Sequence, residues 1–497
     1  LDNLGVHYIE GGWPGANPKD VEFFERAQKE LSLKQSRLVA FGSTRRVNGD
    51  AKKDPTLANL VSAGTSTVCI VGKSWDYHVT EALRTSLDEG VAMVADSIKF
   101  LKDQGLDVFF DAEHFFDGYK ANPEFALRVL EGASDAGADC LVLCDTNGGS
   151  LPFQVEETVS EVVGHLGTSI GVHLHNDTGC GVANAMAGVM AGATQVQGTI
   201  NGYGERVGNC DLVPIIANLS LKLGVKTLPE ECMEKLTSVA HHVAELVNFS
   251  SDPQQPYVGS GAFAHKAGLH VSAISRRPDA YEHIDPNLVG NGTRFLVSEM
   301  SGKSTIELRA QQLGLVIGGE TLNEVVETLK DLEYRGYHFE AADASLELLL
   351  RASTGWEQDF FQLQSFSVNV GHLSGSGSRA WNDVAVEVDT EANVSIDVDG
   401  EIIEASGKGN GPVNALDAAL RDALETRYPA LGKLRLTDFK VRVLETSKGT
   451  GAITRVLLDT TNGDQTWTTI GVSENIIEAS WQALVDSMVY GLMNAEE

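Results

Sequence analysis

Residues 169–177, SIGVHLHND, join an apolar, β-branched run to a cluster of polar side chains. A short run that ends abruptly in polar residues is typical of a parallel strand whose carboxyl end carries chemistry. Residues two apart on a strand point to the same side, so His173 and His175 would project together while Leu174 faces away. The stretch therefore predicts both a parallel sheet and the edge of that sheet where a site lies.

The same unit recurs along the amino-terminal part of the chain. Apolar runs alternate with amphipathic helical stretches such as residues 21–31 and 124–137. Strands that alternate with helices indicate parallel βαβ units. There are seven such runs: VHYIE (6–10), RLVAF (37–41), TVCIV (67–71), DVFFDAE (107–113), CLVLC (140–144), SIGVHLH (169–175) and TQVQGTI (194–200).

Seven strands leave two folds open. A (β/α)8 barrel needs eight, and residues 1–5 resemble a helix tail that ends at Gly5, so we expect a strand and most of a helix to precede residue 1. An open, doubly wound sheet tolerates seven strands, but the dinucleotide fingerprint typical of its first βα turn is missing. The predicted fold class is therefore α/β: a (β/α)8 TIM barrel that lacks its first strand in this chain.

The pattern changes after the barrel. We predict a barrel over residues 1–225, a mostly helical linker with lid subdomains over 226–360, and an α+β regulatory or dimerisation domain over 361–497. In the last region FQLQSFSVNV, DVAVEVD and VSIDVDGEII are interpreted as three strands before a helix, and more strands and a final helix follow. This order predicts an internal duplication, with GKGNGP (407–412) as a Gly-rich loop that opens the first helix.

Composition excludes several classes of protein. The net charge is −31 and the chain has no basic cluster, which argues against a nucleic-acid partner. It contains no apolar run of about 18 residues and no signal peptide, so we expect no membrane span and a cytoplasmic location. The six cysteines form no CxxC pair, and we expect reduced thiols, with Cys140 and Cys144 in the core. Because an acidic protein repels anions, an anionic substrate would need a local Arg, Lys or metal.

The paired histidines suit a divalent metal, although two hydrogen-bonded barrel histidines are the alternative. The stretch GYGERVGN places Glu205 and Asn209 at the next strand end, where an oxygen ligand could complete the site. Two imidazoles with oxygen ligands suit Mg, Mn, Co or Zn and leave positions for a substrate. Such a metal can bind a 2-oxoacid and polarise its carbonyl group.

Five motifs in order resemble the acyl-CoA-condensing branch of the DRE-TIM metallolyases, which includes 2-isopropylmalate, homocitrate and citramalate synthases. They are IEGGWP, DTNGG, HLHND, GTINGYGERVGN and AFAHKAGLHVSA, and the resemblance covers nearly the whole chain. Three further stretches are most similar to the citramalate-synthase branch: AFGSTRR, GKSWDYHVTEAL and FDAEHFFDGYKANPE.

The resemblance implies a Claisen condensation in isoleucine biosynthesis, in which acetyl-CoA, pyruvate and water give citramalate and free CoA. It implies a divalent metal cation, a homodimer, and a feedback amino acid, isoleucine, at the carboxyl-terminal domain. The expected site residues are Glu113, His270 and Tyr281 for catalysis, Thr146, Glu10 and Glu205 for substrate binding, and His173, His175 and Asn209 for the metal.

The chain departs from the family pattern at one point. The family's Arg-Asp-Gly signature lies on the first barrel strand and is absent from these 497 residues, in agreement with the expected missing strand. The resemblance implies that this signature supplies a further metal-ligating Asp and an Arg that stabilises oxyanion charge.

Plainer interpretations of the same residues remain open from sequence alone. Glu113 could pair with Arg45 or Arg46 at the rim, His270 could be an exposed helix residue, and Tyr281 could pack a turn. The alternative functions are a 2-isopropylmalate synthase, a metal-dependent lyase or aldolase, and an inactive barrel that serves as an amino-acid-binding regulatory protein.

Overall fold

The computed structural model describes residues 1–247, 249, 251–265, 274, 277–295, 303–372, 388–444, 449, 451–463 and 465–495. The chain forms two compact units. Unit 1 comprises Leu1–Phe263 with Glu282–Thr293, and unit 2 comprises Ala264–Tyr281 with Arg294–Glu497. Among the described residues, no helix is long and apolar enough to cross a membrane.

Unit 1 is built on one sheet of seven parallel strands that follow each other in chain order. A doubly wound sheet reverses its strand order at a switch point, whereas barrel strands are sequential. The prediction of barrel-type topology is therefore confirmed. The strands are β1 (Tyr8–Glu10), β2 (Arg37–Ser43), β3 (Thr67–Lys73), β4 (Asp107–Glu113), β5 (Cys140–Asp145), β6 (Ser169–Leu174) and β7 (Gln195–Gln197).

Helices connect these strands, and their starts follow from local sequence. The Asn17 side chain accepts hydrogen bonds from the N–H groups of Lys19 and Asp20, and Asp54 caps the next helix in the same way. The helices are α1 (Pro18–Glu30), α2 (Pro55–Ser62), α3 (Leu87–Asp103), α4 (Phe115–Ala121), α5 (Pro123–Asp135), α6 (Pro152–His165), α7 (Gly181–Met190), α8 (Leu212–Ala217) and α9 (Leu236–Leu246).

Alternate residues of the strands divide between two cores. One face packs against the helices and contains large, fully buried side chains such as Phe110, Leu141 and Leu143. The opposite face forms a smaller cluster that includes Cys140 and Cys144, so the prediction that these thiols lie in the core is confirmed. All six cysteines are unpaired. At the carboxyl ends of the strands this second face changes from apolar to polar.

Unit 2 contains two three-stranded antiparallel sheets, each followed by a helix. The predicted internal duplication is therefore present. The elements before it are β8 (Ala264–His265), β9 (Arg294–Phe295), α10 (Lys303–Gln312), α11 (Gly319–Tyr334) and α12 (Asp343–Ser353). The first repeat is β10 (Gln362–His372), β11 (Val388–Val398), β12 (Glu401–Gly409) and α13 (Pro412–Leu424), and the second is β13 (Arg435–Val443), β14 (Thr454–Thr461), β15 (Thr466–Ser473) and α14 (Ile476–Met493).

Two predictions for this region need correction or restriction, and one strand was missed. The run VSIDVDGEII, predicted as one strand, is a hairpin, because Asp399 and Gly400 both adopt positive φ (55° and 84°) as a type I′ turn requires. Strand β15 was not predicted. Residues 383–387 of the predicted strand DVAVEVD lie outside the described residues.

The GKGNGP loop is also corrected, because its first glycines belong to β12. A Cβ atom on Gly407 would lie 2.6 Å from the carbonyl oxygen of Ala415, so a side chain there would push α13 off the sheet. The second repeat has the same contact: a Cβ on Gly471 would lie 1.9 Å from the carbonyl oxygen of Ala479. Gly471 and Ala479 follow Gly407 and Ala415 by the same 64 residues. These glycines thus serve helix–sheet packing.

Candidate active site at the carboxyl ends of the strands

The predicted histidine pair lies at the end of β6. The ring centroids of His173 and His175 are 5.3 Å apart and the two ring planes are inclined by 43°. His175 is 7% exposed, and its Nδ1 has no hydrogen-bond partner among the described residues. Burial, with the neighbouring His173, lowers the pKa of His175, so its imidazole is held in the neutral form that binds metals.

A chain of hydrogen bonds orients the His173 ring. The Nδ1 atom of His173 is 2.8 Å from Oε1 of Gln197, and Nε2 of Gln197 donates to Oδ1 of Asp111 at 3.0 Å. An amide oxygen accepts, so Nδ1 of His173 carries the proton and Nε2 presents its lone pair. Such partners fix the tautomer and orientation of a metal-binding imidazole.

Asn209 faces that lone pair. Its Nδ2 lies 3.0 Å from Nε2 of His173, and the backbone of Asn209 forms an isolated bridge with His175. A half-turn of the amide group would exchange Oδ1 for Nδ2 at this place. The structure therefore brings together the three side chains predicted for the metal.

The Gly-rich loop, defined as residues 201–209, carries Asn209 to this position. The N–H of Asn209 donates to the carbonyl of Gly202 at 3.1 Å, and the carbonyl of Gly208 accepts from Asn176 at 2.9 Å. A Cβ on Gly208 would lie 1.9 Å from the carbonyl oxygen of Gly202, and one on Gly204 would lie 2.0 Å from Oδ1 of Asn209. Glycine is thus required at both positions for the loop to fold against the sheet.

Glu113 contacts a cation that sequence reasoning did not identify. Its carboxylate forms an ion pair with the ammonium group of Lys73, the residue paired with it in register on β3. Both side chains are about one quarter exposed. The alternative pairing with Arg45 is wrong, because Arg45 binds Glu89 and Asp96 instead.

Thr146 lies directly beside this pair in the fold. Its Oγ1 accepts a hydrogen bond of 2.9 Å from the backbone N–H of His114, which follows Glu113 in the chain. His114 has a φ of 54°, a left-handed conformation that few residues other than glycine adopt. The bond therefore joins the end of β5 to the point where the chain leaves β4.

Glu10 lies at the end of β1 and is exposed to solvent. Desolvation of its carboxyl group by the surrounding protein atoms, with a smaller contribution from the charge of Asp111, raises the pKa of Glu10 to about 7. Burial also raises the pKa of Asp111. A carboxyl group that titrates near neutral pH can donate or accept a proton under physiological conditions.

Three predicted site residues remain: Glu205, Tyr281 and His270. The Glu205 side chain is 82% exposed and its carboxylate is 3.7 Å from the guanidinium of Arg206. Tyr281 belongs to unit 2 and is 44% exposed. His270 lies outside the described residues.

The arrangement around His173 fits a divalent metal as a partial ligand set. Two neutral imidazoles and an amide are together, one imidazole is oriented by Gln197, and the other has a buried nitrogen without a partner among the described residues. The described part of the chain contains no group of three or more His, Cys, Asp or Glu side chains that could hold a metal.

Sequence reasoning assigned no role in the site to Lys73, Asp111 or Gln197. Each lies on the polar face at the end of its strand, as the alternation of β3, β4 and β7 requires. That alternation was a usable signal, since Asp111 stands two residues before Glu113 and Gln197 two residues after Gln195.

Three family matches cover most of the chain. Residues 1–243 match the HMGL-like family, residues 257–336 match the homocitrate synthase post-HMGL domain-like family, and residues 340–492 match the LeuA allosteric (dimerisation) domain. The order of these matches follows the order of barrel, linker and carboxyl-terminal domain.

Individual relatives are similar over the full length. The (R)-citramalate synthase of Streptomyces coelicolor is 53% identical over 498 residues, which covers 100% of this chain and 91% of the relative. The (R)-citramalate synthase of Aquifex aeolicus is 48% identical, with coverage of 100% and 93%. The 2-isopropylmalate synthase of Methanocaldococcus jannaschii is 29% identical, with coverage of 98% and 88%.

Proposed function

The chain belongs to the (R)-citramalate synthase family, and from this premise we propose that it condenses acetyl-CoA with pyruvate and water to give (R)-citramalate and free CoA. The observation that carries the proposal is the identity of 53% and 48% along the full chain to two proteins of that name. The polar groups around His173 and Glu113 supply the chemistry that such a reaction needs.

We propose that His173, His175 and Asn209 hold a divalent cation, which can be Mg, Mn, Co or Zn. When bound, the cation supplies Lewis-acid polarisation of the oxoacid carbonyl. Gln197 supports this assignment because it leaves Nε2 of His173 unprotonated. The family's Arg-Asp-Gly segment would add an Asp ligand and an Arg.

The reaction requires removal of a proton from the acetyl methyl group, attack of the resulting enolate on the ketone carbon of pyruvate, and hydrolysis of the thioester by water. We propose Glu113 for proton transfer, with Lys73 holding its carboxylate in place. Thr146, which follows β5, and Glu10, at the end of β1, bind substrate. His270 and Tyr281 act on the thioester side, and Glu205 at the rim of the site.

Regulation and assembly are part of the proposal. The match of residues 340–492 to the LeuA allosteric (dimerisation) domain supports a homodimer and an effector site in the repeated βββα region. We propose isoleucine as the effector, since it is the end product of the pathway that citramalate would feed. We also propose a cytoplasmic location, which the six unpaired cysteines support.

The test is a CoA-release assay with acetyl-CoA and either pyruvate or 2-oxoisovalerate, on the 497-residue chain and on the same chain preceded by a segment that bears Arg-Asp-Gly. We expect a higher kcat/KM for pyruvate. A preference for 2-oxoisovalerate would assign the chain to isopropylmalate synthesis, and absence of CoA release with both oxoacids in both proteins would refute the proposed condensation.

A further inference from the structure

Arg206 connects the Gly-rich loop to two other strand ends. Its Nε and Nη2 donate to the two carboxylate oxygens of Asp177, both at 2.8 Å, and Nη2 also donates to the backbone carbonyl of Thr146 at 2.7 Å. Thr146 follows β5 and Asp177 lies just beyond β6. One guanidinium thus joins the segments after β5, β6 and β7.

This geometry differs from an ordinary surface ion pair. An exposed pair of single contacts contributes little, whereas a bidentate Arg–carboxylate pair with a third bond fixes both direction and distance. The backbone of Arg206 has a φ of 58°, in the left-handed region that disfavours residues with a Cβ atom. The loop therefore adopts this turn against the local preference of its own residue.

The hydrogen bonds of Arg206 also restrain Asn209, because the backbone of the Gly-rich loop links the two residues. Gly208, two residues after Arg206, accepts from the N–H of Asn176, the neighbour of Asp177. The N–H of Asn209 donates to Gly202 at the opposite side of the loop. Asp177 is itself confined, since a Cβ on Gly148 would lie 2.4 Å from its Oδ2.

We propose that Arg206 is a positioning residue for the metal site: by tying the Gly-rich loop to Asp177 and to the Thr146 carbonyl, it keeps Asn209 against Nε2 of His173. This inference rests on the metal assignment of the proposed function. Arg206 does not ligate the cation. Its three hydrogen bonds restrict the loop to the conformation in which the amide of Asn209 and the imidazoles converge.

The experiment measures Mn²⁺ binding by titration calorimetry and hydrogen exchange of the Asn209 and Asn176 amides. We expect Arg206→Gln to weaken Mn²⁺ binding by roughly 10- to 100-fold, the range found when partners of metal ligands are removed, and to speed exchange at both amides. Arg206→Lys keeps the charge without the planar fork, so we expect it to recover only part of the affinity.

Arg128→Gln is the matched control. Arg128 pairs with Asp88 and its side chain has the same 41% exposure as that of Arg206, but it lies on α5, away from the loop. We expect the control to leave both readouts at the wild-type values. Asp177→Asn removes the same bidentate pair from the other side and serves as the second variant if Arg206→Gln does not fold.

The outcomes separate this inference from the metal assignment. Wild-type protein that binds no Mn²⁺ would refute the metal site itself. Wild-type protein that binds Mn²⁺, with Arg206→Gln or Asp177→Asn equal to it in both affinity and amide exchange, would overturn the positioning role.

Discussion

The ammonium group of Lys73 contacts the carboxylate of Glu113 at matching positions on neighbouring strands. The two residues are register partners at the last positions of β3 and β4, and each side chain is about one quarter exposed. A charge pair that is partly shielded from water at the mouth of a site restricts both groups more than a fully solvated pair does. Lys73 therefore determines where the Glu113 carboxylate points.

We expect Lys73→Met to lower kcat by about 10- to 100-fold in the CoA-release assay, because a displacement of about 1 Å in a reacting group is enough for such a loss. Lys73→Arg should retain most of the activity. If Lys73 acts through Glu113, adding Lys73→Met to a Glu113→Gln variant should lower kcat only slightly further. Steady-state kinetics of the double mutant measures this difference.

Lys102→Met is the control for this prediction. Lys102 pairs with Asp139 and has a similar exposed fraction, 29% against 28% for Lys73. It lies in the last turn of α3, the helix that leads to the other end of β4. If the reductions in kcat caused by Lys73→Met and by Glu113→Gln multiplied in the double mutant, the positioning role of Lys73 would be contradicted.

Gln197→Met should weaken divalent-metal binding by roughly 10- to 100-fold, since the ring of His173 would lose the acceptor that fixes its tautomer. Calorimetric titration with Mn²⁺ measures the change. Gln195→Met, on the same strand and face, is the control, because Oε1 of Gln195 has no hydrogen-bond partner among the described residues. Equal losses in the two variants would show that β7 packing, rather than the His173 contact, is responsible.

Gly471→Ala should destabilise unit 2 by roughly 1–3 kcal/mol or more, the usual cost of overpacking. The new Cβ would lie 1.9 Å from the Ala479 carbonyl oxygen, so α14 must move away from β15. Urea denaturation followed by Trp fluorescence gives the free energy of unfolding. Gly451→Ala, where a Cβ would meet nothing within 4 Å, should be close to neutral. A destabilisation in Gly471→Ala no larger than in Gly451→Ala would contradict the close helix–sheet contact.

Asp486 should make the stability of unit 2 depend on pH. Burial raises the pKa of Asp486 to about 6 from 3.8, although Ser345 donates a hydrogen bond to it. Between about pH 4 and 6 the folded state holds more protons than the unfolded state, so the free energy of unfolding falls as the pH rises, by roughly 2–3 kcal/mol in total. That penalty is absent below pH 4 and complete above about pH 6.

Asp486→Asn should remove this pH dependence. Relative to the wild type, the variant should therefore gain more stability at pH 8 than at pH 4. Urea denaturation at the two pH values gives the difference. Asp422→Asn, at an exposed position of α13, is the control. An equal effect of Asp486→Asn at both pH values would mean that the buried carboxyl group is not the source.

Much of the fold follows from local patterns. The seven strands of unit 1 were predicted because β-branched runs alternate with helical ones, and their sequential pairing agrees with a barrel. The predictions failed where a local signal was short: Asp399-Gly400 divides one apparent strand into two, and Gly407 belongs to β12 because a helix crosses it closely. A close contact between two elements cannot be recognised from the sequence on either side of it, because it depends on how the elements pack.

The candidate site was likewise predicted only in part. His173 and His175 were predicted from a spacing of two, and Asn209 from its position at the next strand end. The partners of these residues were not predicted, because Gln197 is 24 residues from His173, Lys73 is 40 residues from Glu113, and Arg206 is 60 residues from Thr146. Nothing in a single sequence marks which of many Lys, Gln or Arg residues will meet a given partner.

By itself the sequence determined the alternation of strands and helices, the repeated βββα order of unit 2, and the face to which each strand residue points, because these depend on the period of the backbone. Only the tertiary structure decided that Glu113 meets Lys73, that Gln197 orients His173, and that Arg206 holds the Gly-rich loop. Those contacts depend on strand register and loop path, which distant segments fix together when they pack.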